Sequence, residues 1–158
     1  METNPQKIGD AGHDRPRLAI ILIAVLALIQ VPRIAAFQLA QDVFAGHESV
    51  AWLYPALVDI FIGITAPFVA FAIWRKTGLA VWVTALVWFI ISIFDHLDAV
   101  TTALNVAGPL PHSLPFASRS AFVISLLVSV VFEGMAIAWL IRGKMRSHYL
   151  GSLRPASQ

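Results

Sequence analysis

Cysteine is absent from all 158 residues. That removes disulfide scaffolding, thiol redox chemistry and thiolate metal sites together, so a metal here would have to be held by oxygen or imidazole. Charge is scarce as well. Asp, Glu, Lys and Arg make up 13% of the chain against 58% hydrophobic residues, and the mean hydropathy is +0.77. A soluble domain carries about a quarter charged residues, so an ordinary soluble fold is excluded, and disorder needs the opposite composition. Gly-rich phosphate loops, Ser-His-Asp arrangements and zinc-protease motifs are missing from the apolar stretches. No internal repeat or low-complexity tract stands in their place. The net charge of +2 and pI of 9.4 come from basic residues set beside apolar runs rather than gathered in one patch. This points to membrane lipids as partners and away from nucleic acid.

What is present is four long apolar segments, 18–40, 50–74, 79–104 and 121–141. About 20 helical residues cross a hydrocarbon core of roughly 30 Å, so each is long enough to span. Backbone groups cannot stay unpaired in lipid, which makes each span a helix, and the short connections make neighbours antiparallel. The expected fold is an all-α integral membrane protein, an antiparallel four-helix transmembrane bundle with a polar interior. It divides into a tail at 1–17, a transmembrane domain at 18–141 and a basic tail at 142–158. The first segment lacks a small-x-small cleavage site after its apolar core, so it reads as an uncleaved span rather than a signal peptide.

Orientation follows from Lys and Arg. Lys7, Arg15, Arg17, Arg75, Lys76, Arg142, Lys144, Arg146 and Arg154 fall on one side, nine of the eleven basic residues, leaving Arg33 and Arg119. The positive-inside rule makes that side cytoplasmic, with both termini there and a plasma or inner membrane as the location. Trp52, Tyr54, Trp74, Trp139 and Tyr149 sit near segment ends, where interfacial aromatics belong. Of the opposite connections, 41–49 is short and acidic. The longer one, 105–120, is broken by Pro109, Pro111 and Pro115 and should fold over the mouth of the bundle with Leu110, Leu114 and Phe116.

Inside the spans sit Arg33, Asp59, Asp95, His96, Asp98 and Glu133. A charge near the bilayer centre costs on the order of 3 kcal/mol or more, and such residues usually face the interior of the protein and mark function. At 100° per residue Ser92, Asp95, Asp98, Thr102 and Asn105 share one face of the third span, and Ser118, Ser125, Ser129 and Glu133 share one face of the fourth. Asp59 shares a stripe with Gly63, Ala66 and Ala70, and Gln30 lies on the side of Arg33. Counting along straight helices puts Arg33, Asp59 and Asp95 at similar depth, so Arg33 should pair with one of the two carboxylates. The same count puts Glu133 roughly 7 Å deeper, with no basic residue at its level.

Asp59, Asp95, Asp98, Glu133 and Arg33 are therefore the candidate residues for binding an ion or substrate, Glu133 first. Asp95, His96 and Asp98 supply the oxygen and imidazole donors that could hold a divalent cation, a weak motif. No haem or iron-sulfur cluster is expected, since cysteine is absent and His96 is the lone histidine within a span. Full ionisation would leave the interior negative, so either a cation fills it or one carboxyl, Glu133 by depth, carries a proton at rest.

Acidic groups in a polar interior favour transport or permeation of a cation, proton or protonatable solute, in a homo-oligomer because four spans are few for a lone carrier. An accessory or assembly subunit of a larger membrane complex is the alternative. A membrane-embedded enzyme using the outer Asp/His cluster stands third.

Overall fold

The computed structural model describes residues 16–151, which contain helices, turns and loops and no strand. The helices are α1 (Arg17–Leu28), α2 (Ala36–Phe44), α3 (Leu53–Arg75), α4 (Leu79–Asn105), α5 (Arg119–Ile141) and α6 (Gly143–Leu150). Two 3-10 turns, Val31–Ala35 and Val50–Trp52, precede α2 and α3. Four continuous stretches, Arg17–Phe44, Val50–Arg75, Leu79–Asn105 and Arg119–Ile141, are long and apolar enough to cross a membrane. Their surfaces match that reading: Leu18, Phe44, Phe68, Phe94 and Val131 all expose more than half of their area, which water would penalise and lipid does not.

The first stretch is not one straight helix. Pro32 has no N–H to give to the Leu28 carbonyl, and its ring crowds that carbonyl. The α-helix accordingly stops at Leu28, tightens into the 3-10 turn Val31–Ala35, and resumes as α2. A backbone irregularity at membrane depth survives where protein covers it. On one side the cover is Gly63 of α3, where a Cβ would fall 2.5 Å from the Ile34 backbone nitrogen and 3.2 Å from the Arg33 carbonyl carbon, while the side chains of Val31, Pro32, Ile34 and Ala35 stay exposed. Gly63 thus lets α3 press directly against the turn that carries Arg33.

The first stretch also runs further than residue 40. Leu39, Ala40 and Val43 are buried on one helical face, which carries the helix through Asp42 to Phe44, and Gly46 at φ +76° then closes it. Much of the expected acidic loop is therefore helix.

Two apolar clusters share the interior. One joins Ile20, Ile23, Ile62, Ile73, Trp88, Phe89 and Leu140 with Met145 and Tyr149 of α6. The other joins Leu39, Val43, Trp52, Ala99, Ala103 and Phe122, with Leu110, Leu114 and Phe116 of the Pro-rich loop packed against it. The loop is held further by Arg119, whose Nη2 donates to the carbonyls of Val106 and Gly108. Trp52 and Tyr149, expected at the interface, are core residues at 3% and 0% exposure. Tyr149 is buried because Met145 and Tyr149, four apart, share one face of α6, and α6 docks on α4 and α5. The segment after residue 141 therefore begins as packed structure. Lys7, Arg15 and Arg154 lie outside the described residues.

Candidate functional site

The expensive residues meet. Arg33, on the 3-10 turn, points its guanidinium among Gln30, just after α1, and side chains from α3, α4 and α5. Its Nε donates to Asp59 Oδ1 and its Nη2 to Asp95 Oδ2. Nη1 donates to Ser92 Oγ at 2.5 Å and to Gln30 Oε1 at 3.4 Å, and it stands 4.0 Å from Glu133 Oε1. The expected pairing with Asp59 or Asp95 is realised with both. A planar guanidinium offers five donors in a fixed fork, which is what allows one residue to serve several acceptors at once.

Glu133 is the correction. The depth count left it without a basic partner, yet its Oε1 accepts from Ser92 Oγ at 2.5 Å and from Gln30 Nε2 at 3.1 Å, and its Oε2 lies 3.1 Å from His96 Nδ1. The count failed because it treated the first span as a rod and side chains as points. The 3-10 turn displaces Arg33, and two long side chains close the remaining gap. Instead of a ladder of carboxylates there is one cluster. Gln30 and Ser92 belong to it, although their residue types alone gave them no place among the candidates. The signal was available in their spacing, three residues before Arg33 and three before Asp95.

Other polar residues on the same stripes do not join. Ser125 Oγ donates to the Phe122 carbonyl and Ser129 Oγ to the Ser125 carbonyl, both in their own helix. Asn105 does likewise to Thr101. Ser118 is the N-cap of α5, accepting from the Ala121 N–H. Asp98 is half-buried and forms no hydrogen bond or ion pair among the described residues. The trio Asp95, His96 and Asp98 does not converge, because His96 turns to Glu133 and Asp95 to Arg33. Among the described residues no group of three or more His, Asp or Glu side chains gathers to hold a metal ion.

The cluster is dry and charge-rich. Side chains of Asp95 and Glu133 are 1% exposed, Arg33 11%, and Asp59 the most open at 27%. Three carboxylates against one guanidinium leave a charge of −2, or −1 if His96 is an imidazolium. One acceptor is left over: Asp95 Oδ1 is buried and has no partner among the described residues. An unpartnered buried carboxylate oxygen is costly, and positive charge taken up by the cluster would offset the excess of carboxylates.

Comparison with known protein families, curated proteins and solved structures finds no match. The chemistry of the cluster is therefore the ground for a functional reading.

Proposed function

We propose that this chain is a small polytopic membrane protein that moves a proton, or a cation or protonatable solute coupled to one, through the Arg33 cluster. The observation that carries the reading is the surplus of acceptors. Three carboxylates, one of them with an oxygen that has no partner among the described residues, share a single guanidinium in the largely buried interior, so the cluster gains by taking up positive charge and can release it when its geometry changes. Asp59, its most exposed member, is the entry; Arg33 keeps its charge and holds Asp59 and Asp95 side by side on its Nε and Nη2, so the proton passes from one carboxylate to the next and not through the guanidinium.

The fold that goes with this reading is an antiparallel four-helix bundle with both termini on the cytoplasmic side of a plasma or inner membrane, assembled as a homo-oligomer. Its support is that Arg17, at the start of the first span, lines one cleft with Trp74 and Arg75 at the end of the second and another with Trp139 and Arg142 at the end of the fourth. Nine basic residues lie towards that end by sequence.

The test is flux. Purified protein reconstituted into liposomes containing a pH-sensitive dye should acidify the lumen under an imposed potential faster than protein-free liposomes, and Asp95→Asn should remove the difference while leaving the protein folded. Flux equal to that of empty liposomes for protons and for monovalent cations would reject the proposal. A second reading, an accessory subunit whose polar residues lock helices together, draws on the full satisfaction of both Glu133 oxygens. It predicts copurification with a larger membrane complex and no flux.

A further inference from the structure

The basic end of the molecule holds a feature the Arg33 cluster does not use. A cleft of about 560 Å³ opens where the start of α1, the end of α5 and α6 come together. Arg17, Arg142 and Lys144 line it, together with the apolar Leu18, Leu22 and Trp139, and among the described residues no Asp or Glu does. All three cations are exposed. Every salt bridge among the described residues belongs to Arg33 or His96, so none of these three has a carboxylate partner there.

We propose that this cleft is a binding site for one anionic phospholipid, with the phosphate held by Arg17, Arg142 and Lys144 and an acyl chain lying along α1. Charge complementarity selects an anion. The apolar wall selects a lipid over a free anion: Leu18 and Leu22 continue into Val25, and these three are 71%, 38% and 47% exposed on α1, an apolar strip leading away from the cations toward the membrane interior. A soluble anion would make no use of that strip. Trp139 sits between the charged rim and the apolar wall, where an amphipathic ring is favoured at the level of a headgroup. Basic pockets between helices at this boundary suit acidic headgroups, at which each Lys or Arg strengthens binding several-fold.

Native mass spectrometry of the full chain, delipidated in detergent and titrated with phosphatidylglycerol or with phosphatidylcholine of the same acyl chains, tests this. One phosphatidylglycerol should be retained per chain at concentrations where phosphatidylcholine is not. The double variant R142Q/K144Q should weaken retention by about thirtyfold, whereas R146Q, also exposed on α6 but outside the cleft, should bind as the wild type does. The thermal midpoint without added lipid should be the same in all three proteins, which separates loss of the site from loss of fold. Equal retention of the two lipids, unchanged binding by the double variant, or displacement of phosphatidylglycerol by inorganic phosphate at equal concentration would each overturn the proposal.

Discussion

Two of the regions that bury polar atoms among the described residues are solved differently. Towards the basic end each buried donor has one neutral acceptor. Tyr149 donates its hydroxyl to the Ile73 carbonyl at 2.8 Å, Trp82 Nε1 to the Leu140 carbonyl at 2.9 Å, and Trp88 Nε1 to Thr65 Oγ1 at 2.8 Å. Nothing is left over, and these contacts fasten helices to one another. Around Arg33 the groups are ionic, come from all four long apolar stretches, and do not balance, since Asp95 Oδ1 has no partner among the described residues and three carboxylates share one guanidinium. A closed pair has one state. An unbalanced cluster has more than one way to place its charge, and the proposed exchange rests on that.

Arg33→Gln breaks this contrast most severely. It strands Asp59, Asp95 and Glu133 without their common cation, and removing one side of a buried ionic set costs about 3–5 kcal/mol. Chemical unfolding in detergent should show a loss of that size, and combining it with Asp95→Asn should restore part of it. Purely additive single and double variants would mean that the ion pair contributes no coupling.

Gly63→Ala should come next. The new methyl meets the backbone of Ile34 and Arg33, and overpacking of this kind costs about 1–3 kcal/mol. Because the turn that carries Arg33 must move, flux should fall further than stability does. A variant with wild-type flux would show that the turn tolerates displacement.

Tyr149→Phe removes one neutral hydrogen bond and should cost about 1 kcal/mol. Burial pushes the Tyr149 hydroxyl from 10.0 up to about 12. Its raised value favours the neutral form in the folded chain, so this contribution is whole below pH 10 and is lost as the pH rises towards 12. Stability of the wild type should decline across that window and that of Tyr149→Phe should decline less. Smallest of all, Ser129→Ala should change stability by under about 0.5 kcal/mol, since Ser129 donates within its own helix and forms no hydrogen bond to the cluster among the described residues.

The periodic stripes and the depth count made the spans and the meeting of Arg33 with Asp59 and Asp95 legible, because both rest on helix geometry that lipid enforces. Other features follow from packing that no single segment encodes. The break at Pro32 could be read locally, but its consequence, a displaced Arg33 seated against Gly63, needed the neighbouring helix. Glu133 reads from sequence as an isolated charge, since its partners, Gln30, Arg33, Ser92 and His96, reach it from two other stretches. Ser125 and Asn105 lie on the polar stripes and satisfy themselves within their own helices, a choice that position on a face cannot distinguish from a contact across the interior. Tyr149 looked like an interfacial ring until α6 was seen docked.

The central claim is that the Arg33 cluster holds a proton it can exchange. Infrared spectroscopy of the purified protein at pH 7, with choline chloride as the sole salt, tests it directly. The cluster should give a protonated-carboxyl band that shifts in deuterium oxide, disappears in one of Asp59→Asn, Asp95→Asn or Glu133→Gln, and persists in Asp42→Asn, a carboxylate outside the cluster. A spectrum with no such band, in protein that is folded and free of bound cations, would contradict the account.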